Sequence, residues 1–528
     1  MTVKGVVEVN SDVFMELNKF GKFQCIQYIL ICLSIMMVSM TNVNYIFVAQ
    51  EVDYRCLVPK CEDLNPVVEI PHWWPSDVDV RCSQPVLDQE KYHQNDNCSK
   101  ETFTKELNEC HEWVYENNDS VVSVLNLGCQ PWKISLIGTI HNAGMLLSMI
   151  ISGLLTDKLG RKPTLIMTVS CGVVGLVKMF ATNFYLYLGI EFLESVLASG
   201  LYTVTAVLLI ELGGGGRRVL AGVLVGTSIY VGEIIFGLLA MVLRYWKYLI
   251  IAVYSPLVMF IFYIYILKES TRWQLIRGKI VEAKETFKLI AKMNKLSLTE
   301  KQISDISGEV LCLKLNVVEP KEKESFKDIL KSKAILIRLA VMSFTFFSSN
   351  FMYIGLTVNS VFLPGNKYIN FLISAVASIL GDLIALYCFA KYERRICLQF
   401  SYVFSAVFII AHSYTPNDII WLKLLLFLCG KMAVVICMIG IFIYTIESFP
   451  TNTRGILIGL CNTAGRSGTV LAPLTPLLTS YLEAFPSILF TVSAIMSALL
   501  LSFTPETKNL PMFDTIKQIE TYDTTVET

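Results

Sequence analysis

Long apolar runs separated by short charged turns set the pattern of this chain. Twelve runs, at about 21–48, 134–156, 164–181, 185–208, 219–241, 247–267, 335–355, 369–389, 396–413, 420–443, 456–480 and 485–503, stand out. Each approaches or exceeds the roughly 20 residues an α-helix needs to cross a bilayer. The first is too long for the apolar core of a signal peptide and is expected to be retained. A polar stretch at 268–334 divides the runs six and six. The pattern predicts an all-α membrane protein of twelve transmembrane helices in two six-helix bundles. Its parts are an N-terminus at 1–20, a first bundle at 21–267 that includes a large loop at 49–132, a helical loop at 268–334, a second bundle at 335–503 and a tail at 504–528. Within the central loop, Val281–Lys295 has helical periodicity, with Ala283, Phe287, Leu289, Ile290 and Met293 on one apolar face.

Composition agrees with lipid as the solvent: 54% of the 528 residues are hydrophobic and 17% charged. The formal net charge is zero, which excludes a strongly basic nucleic-acid binder. That zero hides an asymmetry. Lys158, Arg161 and Lys162, then Arg217 and Arg218, then Lys391, Arg394 and Arg395, and then Arg454 all lie in even-to-odd turns. By the positive-inside rule those turns and both termini are cytoplasmic, and the 49–132 loop is outside. In that loop Asp and Glu outnumber Lys and Arg by 16 to 6. It also holds Cys56, Cys61, Cys82, Cys98, Cys110 and Cys129, an even set expected to form three disulfides of open pairing. Sequons at Asn97 and Asn118 are expected to be glycosylated there.

The turn after the second run reads Gly153-Leu-Leu-Thr-Asp157-Lys158-Leu-Gly160-Arg161-Lys162. It resembles the G-x-L-x-D-R-x-G-R-R/K signature of the major facilitator superfamily. Further segments narrow the likeness: Glu269-Ser270-Thr-Arg272-Trp273-Gln-Leu275, Tyr444-Thr-Ile-Glu447-Ser-Phe-Pro450-Thr451-Asn-Thr-Arg454, and Pro505-Glu506-Thr507. Together with the cysteine-rich loop they resemble the organic cation, organic anion and carnitine transporter family, from about Phe20 to Asn509. The resemblance implies the major facilitator fold and a plasma-membrane carrier of small organic ions working by alternating access. The chain departs from the family at Lys268, where the family has Pro. It departs again at Glu191-Phe192-Leu193, where R-F-L is usual. The turn at 390–395 lacks the Asp and Gly of the repeated signature.

Ionisable residues inside a membrane cost at least about 2.5–3.5 kcal/mol each on insertion scales, so their placement is informative. Glu191, Glu194, Glu233, Asp382, Lys431 and Arg466 fall on runs 4, 5, 8, 10 and 11, which the family fold places around its cavity. At about 1.5 Å per residue, Asp382, Arg466, Lys431 and Glu233 lie roughly 12–21 Å from the inner face, near the midplane. The expected substrate-binding set is Arg466, Asp382, Lys431, Glu233 and Tyr353. Arg466 either holds a carboxylate or pairs with Asp382 or Glu447. Asp382 holds a cationic group, pairs with Arg466 or titrates. Lys178, near the outer end of run 3, is expected to reach the surface. Phe346, Phe347, Phe351 and Tyr353 offer aromatic faces or plain packing. The resemblance makes Asp157, Arg161, Glu211, Arg217, Glu447 and Arg454 inter-bundle latches. No phosphate-loop motif, metal-ligand spacing or catalytic dyad occurs, so no cofactor, metal or enzymatic activity is expected. The expected partners are a small organic ion, a coupling ion and the lipid bilayer. The mixed charges favour a carnitine-like cation or zwitterion, with an organic anion, or a receptor that retains the fold, as alternatives.

Overall fold

The computed structural model describes residues 20–62, 66–88, 92, 98–213, 218–296, 300–306, 311, 329, 331–416, 418–450, 453–508, 516 and 518–521. Most of the 1–20 segment and of the tail therefore lies outside the described residues. Among the described residues, eleven helices are long and apolar enough to cross a membrane. They are span 1 (Lys22–Val48), span 2 (Pro131–Leu159), span 3 (Arg161–Phe180), span 4 (Phe184–Gly213), span 5 (Leu220–Val242), span 6 (Trp246–Ile266), span 7 (Lys333–Phe362), span 8 (Lys367–Lys391), span 9 (Arg394–Tyr414), span 10 (Ile420–Ser448) and span 12 (Phe485–Phe503). The twelfth expected run is present as Arg454–Leu471, continued in tighter 3-10 winding over Ala472–Ser480. This span 11 carries Arg454 and Arg466 and is the most polar of the twelve. Several helices extend past their apolar runs, because backbone hydrogen bonding continues into the charged turns.

Two apolar cores result. One joins spans 1–6, with Val358 and Phe371 added from the other half. The other joins spans 7–12, with Tyr230 added from span 5. Span 11 lies close on span 7, since a Cβ on Gly468 would come within 2.5 Å of the Phe347 carbonyl. That approach needs a residue without a side chain. In the central loop the helix Ile280–Asn294 matches the predicted periodicity. It docks beneath span 1, where the Asn294 Oδ1 accepts from the Phe23 backbone N–H at 2.9 Å.

The loop between spans 1 and 2 folds as a small domain. Strand β1 (Tyr54–Cys56) pairs antiparallel with β4 (Trp113–Tyr115), and β2 (Ser83–Leu87) with β3 (Phe103–Glu109). Three disulfides fix it: Cys56–Cys110, Cys61–Cys98 and Cys82–Cys129. Its base is tied to the first bundle. The Ser120 hydroxyl donates to the Val48 and Gln50 carbonyls at 3.2 and 2.7 Å, and the Trp246 backbone N–H donates to the Asp119 carbonyl at 3.0 Å. The face carrying this domain is called the domain face below, and the opposite one the loop face.

Candidate functional site

Three of the five expected substrate residues meet between the bundles. The Tyr353 hydroxyl of span 7 donates to Glu233 Oε1 of span 5 at 2.9 Å. The Lys431 ammonium of span 10 donates to the Tyr353 carbonyl at 3.0 Å and to the Thr357 hydroxyl, and lies 3.7 Å from the Tyr353 ring centre. All three residues are buried, and Tyr230 stands beside Tyr353 with ring centres 6.1 Å apart. Phe346 and Phe351 are buried in the second core, Phe351 edge-on against Phe490 of span 12. Packing is their observed role.

Arg466 and Asp382 do not pair with each other, nor Arg466 with Glu447. Arg466 points toward span 2, where one guanidinium nitrogen lies 3.0 Å from the Met145 sulfur. No carboxylate lies within ion-pair distance of it among the described residues. Asp382 is fully buried against span 5 and accepts from the Thr227 hydroxyl at 2.9 Å. Its other carboxylate oxygen has no partner. The helices explain the separation: Arg466 faces the contact of spans 11 and 2, Asp382 that of spans 8 and 5. Two opposite charges thus remain unpaired on two different contacts between the bundles.

Lys178 corrects the expectation that it reaches the surface. It is fully buried in the first bundle, with Glu191 at 2.8 Å, Glu194 at 3.2 Å and the Tyr254 hydroxyl at 2.8 Å. Glu191 also meets His141 of span 2 at 2.8 Å. Glu191 and Glu194 therefore hold a buried cluster and take no part in the central site. One oxygen of each carboxylate and a His141 nitrogen lie within 4.8 Å of one another, but the Lys178 ammonium contacts both carboxylates and repels a metal ion. Sequence reasoning missed His141. The available signal was the i, i+3 pair Glu191 and Glu194, which needs a cationic partner on a facing helix.

At the loop face the two halves repeat one device. Glu269, just after span 6, accepts from the backbone N–H groups of Arg161 and Lys162 at 3.1 Å each. Glu506, just after span 12, accepts from those of Arg394 and Arg395 at 2.9 Å each. The first turn of a helix has unsatisfied N–H groups and a positive end, so a carboxylate binds there. Burial pushes the Glu269 carboxyl above its ordinary range, against the pull of its N–H partners and Arg161.

Among the described residues, the ion pairs of the expected latches each lie within one bundle. Arg161 pairs with Glu211 at 3.1 Å and with Asp157 at 3.6 Å, all in the first bundle. Glu447 pairs with Arg394 at 3.5 Å and accepts from the Thr507 hydroxyl at 2.7 Å, all in the second. Arg454 donates to the Phe449 carbonyl of its own turn. Arg217 lies outside the described residues. The cause is spacing. Cβ atoms built on Gly153 of span 2, Gly222 of span 5, and Gly455 and Gly459 of span 11 would meet nothing within 4 Å. The helices stand apart at that face, and the latch ion pairs described each lie in one half. At the domain face the halves close: Phe47 of span 1 stacks on Tyr368 and meets Phe371 edge-on, each at 5.2 Å, both from span 8. In the small domain Asn118 is exposed, while Asn97 lies outside the described residues.

Residues 27–473 match the family model of the Major Facilitator Superfamily. Among curated proteins, an organic cation transporter protein of Drosophila melanogaster is 27% identical over 97% of this chain and 94% of its own length. Solute carrier family 22 member 6-A of Xenopus laevis is 27% identical over 95% and 92%. Solute carrier family 22 member 2 of Rattus norvegicus is 25% identical over 96% and 95%. Among solved structures, the proton:xylose symporter XylE bound to 6-bromo-6-deoxy-D-glucose aligns with TM-score 0.57 at 13% identity, covering 95% of this chain and 100% of that chain. This last likeness concerns the fold alone. The chain belongs to the Major Facilitator Superfamily: it is a multi-pass membrane transporter and not an enzyme, with organic cation transporters and solute carrier family 22 proteins among its relatives.

Proposed function

We propose that the chain carries small organic cations or zwitterions of carnitine-like kind across the plasma membrane by alternating access. The small domain is then outside and both termini cytoplasmic. The observation that supports this substrate class is the pair of unpaired opposite charges, Arg466 and Asp382, on two different contacts between the bundles. A guanidinium in a low-dielectric site binds a carboxylate bidentately. A buried carboxylate near Tyr230 suits an ammonium, to which aromatic faces add about 0.5–2 kcal/mol. Glu233 and Lys431 hold Tyr353 in place. Asp157, Arg161, Glu211, Arg217, Glu447 and Arg454 form the gate, re-pairing across the bundles when the loop face closes.

The test is uptake of tetraethylammonium, an aromatic carboxylate and carnitine in cells expressing the chain, with Arg466→Ala and Asp382→Ala at matched surface levels. Charged hydrogen bonds contribute about 1.5–3 kcal/mol, so carnitine uptake should fall by about ten-fold or more in both variants. Arg466 taken alone favours a second reading, an organic anion carrier. Uptake of only the aromatic acid, abolished by Arg466→Ala and little changed by Asp382→Ala, would establish it. A surface-localised chain with no saturable flux would point to a receptor that retains the fold.

A further inference from the structure

We propose that Lys162 and Lys268 bind the phosphate of one anionic glycerophospholipid at the loop face, where the start of span 3 meets the end of span 6. This site is separate from the substrate path. Lys268 stands where the family has Pro. A proline has no backbone N–H, but the Lys268 N–H donates to Gln27 Oε1 of span 1 at 3.0 Å. The Gln27 amide group in turn donates to the Ile266 carbonyl at 3.4 Å. Lys268 therefore ties the end of span 6 to span 1 and sets an ammonium group at that rim. Lys162 stands beside it. Its ammonium donates to the Ile264 carbonyl, in the last turn of span 6, at 2.6 Å. Carbonyls in a last turn have no partner in their own helix, and a lysine satisfies them. That bond uses one of three ammonium protons. It holds the Lys162 charge close enough to Lys268 for the two to repel each other.

The acids nearby do not offset both charges. Glu269 attracts Lys162, but its oxygens already accept the backbone N–H groups of Arg161, Lys162 and Ser270 at 3.1, 3.1 and 2.9 Å. Asp157 and Glu211 pair with Arg161. Among the described residues no carboxylate lies within ion-pair distance of either ammonium group. Two ammonium groups facing one engaged carboxylate leave one positive charge over, which a singly charged phosphate diester matches.

The span 6 surface next to the pair favours a lipid over a free phosphate. Phe262, Ile264, Tyr265 and Ile266 are exposed on its last turns, Tyr265 by 78%. On a membrane-spanning helix such a surface is covered by acyl chains, and tyrosine settles at headgroup level. A phospholipid meets both features at once, with its phosphate between the lysines and its chains along Phe262, Ile264 and Ile266. A free phosphate meets only the first. With both termini cytoplasmic, as proposed above, the adjoining leaflet is the one that carries anionic lipids.

The test is native mass spectrometry of the purified full chain, titrated with phosphatidylserine or with phosphatidylcholine of the same acyl chains. One phosphatidylserine should be retained in preference to phosphatidylcholine. Each basic side chain at an anionic headgroup is worth about five-fold in affinity, so Lys162→Gln and Lys268→Gln should each weaken that binding about five-fold. Lys268→Gln keeps the backbone N–H and so tests the charge alone. Lys268→Arg, which keeps the charge, should retain binding, as should Lys508→Gln at the loop face of the other half. Thermal unfolding checks that each variant folds. If Lys162→Gln unfolds, the two Lys268 variants decide. Equal retention of the two lipids overturns the proposal. So does phosphatidylserine binding that is unchanged without the Lys268 charge. Displacement of phosphatidylserine by glycerol 3-phosphate would assign the pair to a soluble phosphate ester and overturn the lipid.

Discussion

Lys431 has no surface exposed to water, and its ammonium is held by a carbonyl, a hydroxyl and the face of Tyr353. Glu233 is bound to the hydroxyl at the far end of the same tyrosine. One side chain thus connects an acid and a base on different helices. Glu233→Gln and Lys431→Met, made singly and together, should therefore lose stability non-additively, with a coupling of about 0.5–3 kcal/mol in thermal unfolding. Strict additivity would show that Tyr353 does not join them. That these charges lie inside was legible in the sequence, because insertion cost makes every intramembrane charge significant. Their partners were not legible. Depth follows from 1.5 Å per residue, but pairing depends on how each helix is rotated about its axis. Arg466 and Asp382 lie at similar depths and face different neighbours. Lys178 lies near a helix end, as a snorkelling lysine would, yet turns inward to Glu191 and Glu194.

The repeated carboxylate clamp sets which parts of an element can vary. The turn at 390–395 lacks the acid and glycine of the signature, but Glu506 still binds the first two N–H groups of span 9. Glu269 and Glu506 each hold a helix start by two charge-assisted bonds. Glu269→Ala and Glu506→Ala should each cost about 1.5–3 kcal/mol in thermal unfolding. Asp157→Ala should cost much less, since the Asp157 side chain is 79% exposed and its ion pair is correspondingly weak. Equal losses in all three would mean that the turn sequence, not the clamp, holds the helix start. The spans themselves were readable because a long apolar run has one stable outcome in lipid. The clamp was not, although both glutamates stood in recognised motifs, since a motif does not say which helix end its carboxylate meets.

At the scale of the whole molecule the bundles meet at the domain face and part at the loop face. Phe47 and Tyr368 stack across that closure. A chain with Phe47→Cys and Tyr368→Cys should cross-link and stop uptake, with recovery on reduction. Cross-linking with unchanged uptake would show that this closure does not open during transport. Sidedness is an expectation from charge and cysteines. The choice between the two closures was not legible, because the states of such a carrier lie within a few kcal/mol of each other. The small domain adds a practical consequence. It is bonded to the ends of spans 1 and 6. It faces the other half by charge, with Glu116 and Asp53 toward Lys367 of span 8. A rigid body fixed to one half and separable from the other is an optical ruler built into the carrier. A fluorophore on the exposed domain and a second at the domain-face end of span 8 would report each opening as a change in distance.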